Sequence, residues 1–329
     1  MMDRRAFISM VGGSILAGPL AAKAQQAGKV YRIGILSGGS PTRNSPHIEA
    51  FRQGLRDTGW VEGRDVLIEW RSAEGRTDKL TELMAELVHL KIDVIVTAGS
   101  TPATLAAKRA TTTTPIVMVA VGAPLATGLV ANLARPGGNV TGFTTLGGEV
   151  ASKRLEFVKD LLPQATQVGL LWNPDNPANA QVYRELSEKA RQTQLKLLSI
   201  EVRDAKEIDR GFALLVKQRP DVLLLTADPM LLVHMGRVIE FTAKHRLPAI
   251  YNTRESVEAG GLMSYDANQP ELYKRAARYV DKILKGTPPG DLPVEQPAKF
   301  ELVINLKTAK ALGLTMPPVL RLQADHVIE

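Results

Sequence analysis

The sequence predicts an α/β protein built from two similar lobes, each with a parallel β-sheet covered by helices. Short, almost continuously apolar segments alternate with amphipathic ones, which is typical of strands buried on both faces of a parallel sheet. The same succession of strand, polar turn and helix then occurs a second time along the chain. A length of 329 residues is sufficient for two such domains.

In the first half, four segments have the composition of buried strands. Two intervening segments are predicted helices: residues 45–58, which end before Gly59, and residues 80–90, which have one apolar face. Three of the strands lead into turns rich in glycine, serine or proline. The predicted strands are residues 30–36, 66–70, 92–97 and 115–120.

The second half repeats this order. Its predicted strands are residues 167–172, 220–225 and 247–251. The clearest correspondence relates residues 92–98 to residues 220–227, because both follow an amphipathic helix and end in Thr-Ala before a polar turn. Asp93 and Asp221 precede the apolar part of these two segments. The sequence therefore predicts two Rossmann-like lobes of similar topology.

Segments rich in glycine and proline indicate where the chain crosses between the lobes, since a crossing segment has to bend. The predicted crossings are residues 135–143, 260–265 and 288–297. The first lobe is accordingly expected to contain residues 30–143 plus about 264–290. The second is expected to contain residues 144–263 plus about 291–329, and a hinge of several strands joins the two.

Residues 1–24 are predicted to be a cleaved export signal. Arg-Arg at 4–5 precedes an uncharged segment that is short for a membrane span, and Ala-Lys-Ala at 22–24 is a small-x-small cleavage pattern. The arginine pair resembles a twin-arginine export motif. We expect cleavage after Ala24 and a periplasmic location, with a retained membrane anchor as the alternative. The mature chain has no long apolar run and is not expected to span a membrane.

Composition argues against several other classes of protein. Hydrophobic residues make up 44% and charged residues 23%, as in ordinary globular domains. The absence of cysteine excludes disulfides, thiolate metal sites, iron–sulfur clusters and cysteine nucleophiles. The formal charge is +7, but lysine and arginine are interspersed with acids, so no nucleic-acid partner is expected.

The sequence also lacks the common catalytic and cofactor motifs. No dinucleotide-binding glycine pattern follows a strand, and there is no phosphate-binding loop and no nucleophile elbow. The five histidines are not spaced as metal ligands. Asp175 lies in Asn-Pro-Asp-Asn-Pro, where a turn is the alternative to acid–base chemistry. We therefore expect a protein that is not an enzyme and holds no cofactor or metal.

Ligands of open parallel sheets bind beyond the carboxyl ends of the strands. Small polar residues follow the carboxyl ends of the strands here. The helices that come next have their N-termini at the same place, and the positive end of a helix dipole suits a carboxylate or another anion. For Ser100 and Thr101, helix N-capping is the alternative to ligand contact. Tyr265 is a candidate for stacking on an aromatic ligand. The predicted ligand-binding residues are Ser37, Gly38, Ser100, Thr101, Gly122, Asn173, Asp228, Asn252, Thr253 and Tyr265.

Several longer segments carry a family resemblance. They are Thr-Pro-Ile-Val at 114–117 with Gly-Leu-Val at 128–130, Pro-Gly-Gly-Asn-Val-Thr-Gly at 136–142, Gly-Gly-Leu-Met-Ser-Tyr at 260–265, and residues 300–314. Together they resemble the ABC-transporter substrate-binding family that includes tryptophan- and tyrosine-binding lipoproteins. The resemblance covers essentially the whole mature chain. It implies the type I periplasmic-binding-protein fold, with a ligand held between the lobes.

The resemblance implies that the protein captures a small organic molecule and delivers it to an ABC permease in the inner membrane. Members that bind aromatic amino acids carry Ser-Asp-Pro where residues 122–124 here are Gly-Ala-Pro. Asp228 and Asp266 are the candidate replacements for that missing acid, and an aromatic or other organic acid without an amino group stays open. A sensor that presents its ligand to a membrane receptor kinase and an exported enzyme are the alternative functions.

Overall fold

The computed structural model describes residues 29–39 and 45–329, so the predicted signal at 1–24 lies outside the described residues. The strands are β1 Tyr31–Ser37, β2 Val66–Ser72, β3 Val94–Ala98, β4 Ile116–Val121, β5 Val140–Thr144, β6 Gln167–Trp172, β7 Lys196–Glu201, β8 Val222–Leu225, β9 Ala249–Tyr251, β10 Met263–Ala267, β11 Val294–Glu295, β12 Phe300–Asn305 and β13 His326–Ile328. The α-helices are α1 Pro46–Asp57, α2 Leu80–His89, α3 Thr101–Ala110, α4 Gly147–Leu161, α5 Pro177–Gln192, α6 Glu207–Gln218, α7 Pro229–Val233, α8 Met235–Lys244, α9 Arg254–Glu258, α10 Gln269–Leu284, α11 Leu306–Leu312 and α12 Pro318–Gln323. In this described part, no helix combines the length and the apolar composition needed to cross a membrane.

The strands form two sheets in which one strand order recurs. The first sheet has the order β2-β1-β3-β4-β5-β11, and all its pairs are parallel. The second has the order β7-β6-β8-β9-β10-β12-β13, in which β12 runs antiparallel to β10. In both lobes the first five strands along the chain follow the doubly wound order 2-1-3-4-5. The predicted α/β fold with two similar parallel-sheet lobes is therefore confirmed.

Each sheet is covered by apolar clusters on both faces. Phe51 on α1 belongs to the cluster on one face of the first sheet, and Met118 on β4 belongs to the cluster on the other. In the second lobe, Trp172 and Tyr251 belong to the two corresponding clusters. Burial on both faces explains why the strands read as nearly continuous apolar segments.

Within the described residues, the chain passes between the sheets at 145–146, at Asn268 and at 296–299. The glycine-rich segments at 137–138 and 260–261 lie just before these crossings rather than in them. They are turns that lead into β5 and β10, the strands from which the chain leaves each lobe. Glycine marks a bend in the chain, but the sequence around it does not reveal which sheet the next strand joins.

Two predicted lobe boundaries change for this reason. Residues 264–267 belong to β10, which pairs with β9 and β12 in the second sheet and not with the first lobe. Residues 294–295 form β11, which pairs with β5 in the first sheet and not with the second lobe. Only α10 and β11 therefore return to the first lobe after the second crossing.

Helix α10 is fixed to the first lobe by close packing against α1. A Cβ atom at Gly54 would lie 2.5 Å from the carbonyl oxygen of Lys274 and 2.7 Å from Cβ of Ala277. The two helices therefore approach to backbone contact at this point. This contact holds the segment between the second and third crossings against the first sheet.

Candidate ligand-binding cleft

The carboxyl ends of the two sheets face each other and enclose a small chamber of about 50 Å³. The first lobe contributes residues that follow β3 and β4, and the second contributes the first turns of α4 and α5 and the end of β8. Both lobes thus form its walls, as expected for sheets whose ligands bind beyond the carboxyl ends of the strands. Gly122 lines the chamber without a side chain. The polar or charged residues that line it are Thr101, Arg154, Asn176, Asn179, Thr226 and Asp266.

A second cavity of about 130 Å³ shares Asp266 with the chamber. His47, at the start of α1, lines it from the first lobe, and Asn252 and Thr253 line it from the second. Asp266 therefore borders both spaces, and together they define the cleft between the lobes.

Four of the predicted ligand-binding residues line this cleft. Thr101 and Gly122 lie at the chamber, where Oγ1 of Thr101 donates to the carbonyl oxygen of Gly122 at 3.3 Å. Asn252 and Thr253 lie at the second cavity. The structure thus brings predicted residues from opposite lobes to one cleft.

The predicted serines make local hydrogen bonds instead. Oγ of Ser100 accepts a hydrogen bond from the backbone N–H of Ala103 at 3.1 Å, which caps α3. Oγ of Ser37 accepts from the backbone N–H of Gly39 at 3.2 Å. For Ser100 the arrangement is the N-capping alternative that the sequence left open.

Gly38 lies where the two lobes meet rather than at the chamber. A Cβ atom at this position would lie 2.9 Å from Cγ of Pro229, which begins α7 in the second lobe. The absence of a side chain at Gly38 therefore allows the first lobe to approach α7.

Asp228 is the centre of a buried amide cluster. Its Oδ2 accepts hydrogen bonds from Nδ2 of Asn176 at 2.9 Å and of Asn179 at 3.1 Å. Its Oδ1 accepts from the backbone N–H of Met230 at 3.0 Å and from Nδ2 of Asn173 at 3.4 Å. Burial raises the pKa of Asp228 above its usual value, against the effect of these hydrogen bonds. The predicted residue Asp228 therefore orients the two asparagines at the chamber, and the predicted residue Asn173 helps to hold Asp228.

Tyr265 occupies a different environment from the predicted one. Its ring packs edge-on against Phe157 at 5.3 Å and stacks on Phe300 at 5.8 Å, both within the second lobe. Tyr265 lines neither cavity. Successive side chains of a strand point to opposite faces, so the next residue on β10, Asp266, borders the cleft instead. Stacking on a ligand does not fit this position of Tyr265.

Arg154 is a fully buried cation at the chamber that was not among the residues predicted from the sequence. Its Nε donates to the carbonyl oxygen of Tyr265 at 2.7 Å, and its Nη1 donates to that of Leu225 at 3.3 Å. Nη2 lies 3.9 Å from Oδ1 of Asp266. Burial lowers the pKa of Arg154 and raises that of Asp266, while each charge partly offsets the shift of the other. The signal was present in the sequence, because Arg154 lies between Val150 and Val158 on the apolar face of α4.

Thr226 was also missed, and it shares an unusual property with Asn252. Oγ1 of Thr226 and Oδ1 of Asn252 are buried and have no hydrogen-bond partner among the described residues. Thr226 lines the chamber and Asn252 lines the second cavity. Buried polar atoms in proteins are nearly always paired, so these two atoms make the cleft the candidate site for a ligand.

The chamber also has a positive electrostatic bias. Helices α3 and α5 begin at its wall with Thr101 and with residues 177–179, so the positive ends of their helix dipoles favour an anion. Across residues 29–39 and 45–329, no group of three or more His, Asp or Glu side chains is placed to hold a metal ion. The arrangement can bind a small polar molecule by charge and hydrogen bonds.

Comparison with known proteins gives concordant matches. The family model of ABC transporter substrate binding proteins matches residues 41–328. A tyrosine-binding protein of Clostridioides difficile (strain R20291) is 29% identical over 279 residues, which cover 85% of this chain and 78% of that protein. The structure of an ABC domain in complex with L-Trp from Streptococcus pneumonia is 26% identical, with a TM-score of 0.84 over 91% of this chain and 100% of that chain.

A third relative differs in the reported state of its cleft. It is the ligand-free, open structure of a substrate binding protein with adhesive properties from Clostridium difficile, also 26% identical and covering 91% of this chain and 99% of that chain. Its TM-score is 0.65, against 0.84 for the L-Trp complex, so at equal identity and similar coverage the chain as a whole superposes better on the L-Trp complex. On the extent of the family match and these similarities, the chain belongs to the ABC transporter substrate-binding protein family.

Proposed function

We propose that the protein captures a small organic acid, with or without an amino group, between its lobes and delivers it to an ABC permease in the inner membrane. The observation that carries this proposal is the polar chamber whose walls come from both lobes, at the N-termini of α3 and α5. A ligand there contacts both lobes only when they are closed, so binding favours the closed arrangement.

Contacts across the cleft support a closed state. A Cβ atom at Gly122 would lie 3.2 Å from Cβ of Ala178 in the second lobe, and one at Gly75 would lie 3.1 Å from Cα of Met230. At both points the lobes can approach this closely because the first lobe has a glycine there. On the other side of the cleft, Nε2 of His47 lies 3.3 Å from Oε1 of Glu255.

A melting-temperature screen of the chain from Gln25 onward tests the proposal. The panel contains amino acids, hydroxy acids, aromatic acids, dicarboxylic acids and sugars. A ligand at 100 times its dissociation constant should stabilise the fold by about 2.7 kcal/mol, which raises the melting temperature by several degrees. The proposal predicts such a shift with carboxylates and no conversion of the ligand. It is contradicted if no carboxylate shifts the melting temperature and the denatured protein releases no bound small molecule into a mass spectrometer.

We also propose that the protein works in the periplasm after removal of residues 1–24. The basic pair at 4–5, the apolar segment that follows and the small residues at 22–24 support this proposal. The exported protein should then have the mass of a chain that begins at Gln25. A periplasmic form that retains Met1 would contradict the proposed cleavage.

A further inference from the structure

The guanidinium group of Arg154 has more hydrogen-bond donors than acceptors around it. An arginine carries five N–H groups. Here one on Nε and one on Nη1 donate to the carbonyl oxygens of Tyr265 and Leu225. The others, one on Nη1 and both on Nη2, make no hydrogen bond to the described residues. The side chain is only 5% exposed, and buried donors are nearly always paired, so an acceptor is expected in the chamber.

Asp266 does not supply that acceptor. Its Oδ1 lies 3.9 Å from Nη2 of Arg154, which is beyond hydrogen-bond distance. Both of its oxygens have donors elsewhere: Oδ1 accepts from the backbone N–H of Ala267 at 2.8 Å, and Oδ2 accepts from Nε2 of Gln269 at 3.2 Å. Asp266 therefore offsets part of the charge of Arg154 but leaves its remaining N–H groups without a hydrogen bond.

The unpaired hydroxyl of Thr226 is close to the same guanidinium group. Leu225, whose carbonyl oxygen accepts from Nη1 of Arg154, directly precedes Thr226, and the threonine and the arginine both line the chamber. Oγ1 of Thr226 is buried without a partner among the described residues, and a hydroxyl can donate. The two oxygens of a carboxylate can accept from both groups, and arginine–carboxylate hydrogen bonds are among the strongest in proteins.

The size of the chamber limits how much of a ligand it can hold. Its volume is about 50 Å³, whereas one water molecule needs roughly 10–15 Å³ of such space. A group of a few heavy atoms, such as a carboxylate, therefore fits, and a larger body does not. The second cavity of about 130 Å³ begins at Asp266, which borders both spaces, so the rest of a ligand is expected there.

The second cavity presents mainly acceptors. Its acids are Glu255, Asp266 and Glu301. Oδ1 of Asn252 adds a buried acceptor without a partner, since Nδ2 of this amide donates to the carbonyl oxygen of Thr226 at 3.5 Å. A hydroxyl or an amino group of a ligand can donate to these oxygens. A second carboxylate would instead meet like charges and acceptor oxygens.

The cations at this cavity already have acidic partners. Nε of Arg254, which lines it, lies 2.7 Å from Oε1 of Glu258. Nζ of Lys299 lies 3.4 Å from Oε1 of Glu301. Burial lowers the pKa of His47 below its usual value, so this imidazole is uncharged at neutral pH. The described part of the cavity wall therefore offers no uncompensated positive charge to a second carboxylate.

On the basis of the function proposed above, we infer that Arg154 and Thr226 bind the carboxylate of a monocarboxylic acid whose remaining atoms extend past Asp266 into the second cavity. There a hydroxyl or an amino group of the ligand donates to Oδ1 of Asn252. The three acids of the second cavity select against dicarboxylic acids.

Isothermal titration calorimetry with three sets of ligands tests this inference on the unmodified mature chain. The monocarboxylic acids are 2-hydroxybutyrate, norvaline and phenylalanine. Each is compared with its primary amide and with the analogue that carries a second carboxylate, which is malate, glutamate or 4-carboxyphenylalanine. In the set that binds best, we expect the monocarboxylic acid to bind at least about tenfold more tightly than either analogue, a difference of roughly 1.4 kcal/mol.

Substitution of the two proposed carboxylate-binding residues provides a second arm. Arg154→Gln should lower the ratio of acid to amide affinity at least about tenfold, and Thr226→Val should lower it about fivefold. This ratio is the readout because Arg154 also holds the carbonyl oxygens of Tyr265 and Leu225, and a distorted chamber would weaken acid and amide alike. Thr226→Val keeps the shape of the side chain and so serves if Arg154→Gln does not fold.

The matched controls are Arg184→Gln and Thr193→Val on α5 of the same lobe. Arg184 is exposed and donates to Gln181, and Thr193 caps the end of α5 that is remote from the chamber. Neither residue lines the chamber or the second cavity. Both controls should leave the ratio of acid to amide affinity unchanged.

The outcomes separate this inference from the proposed function. Primary amides or dicarboxylic acids that bind as tightly as the monocarboxylic acid overturn the inference and leave a solute-binding protein. An acid-to-amide ratio that is unchanged in the folded variants also overturns it. If no carboxylate binds at all, here or in the melting-temperature panel, the proposed function itself is contradicted.

Discussion

Asp228 shows how a single residue can organise the cleft without lining either of its cavities. Its carboxylate receives amide hydrogen bonds from Asn176 and Asn179, about fifty residues earlier in the chain, and caps α7. The amide of Asn176 is held from the other side as well, because its Oδ1 accepts from the backbone N–H of Ala178 at 3.1 Å. The two asparagines therefore have only one satisfactory orientation at the chamber wall.

The substitution Asp228→Asn tests this role. An amide has one acceptor oxygen where the carboxylate has two, so its NH₂ group must face either the amides of Asn176 and Asn179 or the backbone N–H of Met230. Leaving these buried donors unpaired should lower the free energy of unfolding by about 1–3 kcal/mol. Ligand affinity should also fall, because the chamber wall loses its fixed orientation. Denaturant unfolding and calorimetry measure the two effects.

Asp221→Asn is the matched control in the same lobe. Asp221 accepts hydrogen bonds from the backbone N–H groups of Thr166 and Gln167 at the amino ends of β6 and β8, away from the cleft at their carboxyl ends. This control should lower stability and leave ligand affinity unchanged. Equal effects of the two substitutions on affinity would show that the amide cluster does not position the chamber wall.

The sequence allowed part of this site to be predicted. Thr101, Gly122, Asn252 and Thr253 were found because the ends of buried strands can be recognised locally, and both lobes bring such ends to the cleft. Ser100 and Asp228 follow strand ends, as predicted, but line neither cavity and use their oxygen atoms to cap helices. Such competition between local and ligand hydrogen bonds depends on three-dimensional geometry, which spacing along the chain does not determine.

At the scale of elements, the contact between α1 and α10 keeps the returning segment in the first lobe. The two helices are more than two hundred residues apart in sequence and meet at Gly54. Nε1 of Trp60 also donates to Oδ1 of Asp281 at 2.8 Å, just beyond the end of α1. The first lobe is therefore completed only after the second crossing.

Gly54→Ala should weaken this contact. The added methyl group would overlap the backbone of α10, and overpacking of this kind lowers stability by about 1–3 kcal/mol, despite the higher helix propensity of alanine. Gly236→Ala on α8 is the control, because a Cβ atom there would have no neighbour within 4 Å. Thermal unfolding should show a loss for the first variant and none for the second. Equal melting temperatures would contradict the close packing.

The position of a strand along the chain was easier to predict than the lobe to which that strand belongs. The sequence located β1 to β4 in the first sheet but only β6, β8 and β9 among the seven strands of the second, where burial on two faces leaves a strong local pattern. The placement of β10 and β11 was wrong because pairing partners lie far away along the chain. The short β11, Val294–Glu295, follows a proline-rich turn and has almost no pattern of its own.

At the scale of the whole molecule, the account depends on closure of the two lobes around a ligand. Gly122 and Ala178 meet across the cleft, and no other atom lies within 4 Å of a Cβ placed at Gly122. A larger residue at 122 therefore obstructs the approach of the lobes without disturbing the first lobe.

Gly122→Val should consequently reduce ligand affinity at least about tenfold, or roughly 1.4 kcal/mol. The double variant Gly122→Val with Ala178→Gly should recover part of this loss, because the second substitution removes the methyl group in the way. Calorimetry with the ligand found in the melting-temperature screen measures both. An affinity equal to that of the unmodified protein would mean that closure at this contact does not accompany binding.

Small-angle X-ray scattering of the mature protein, with and without saturating ligand, tests closure most directly. The account predicts that the radius of gyration falls when ligand is added to the unmodified protein, because ligand contacts in both lobes favour the closed arrangement. It also predicts that the Gly122→Val variant keeps the larger radius at the same ligand concentration. Identical scattering curves with and without saturating ligand would contradict the claim that the lobes close on a bound molecule.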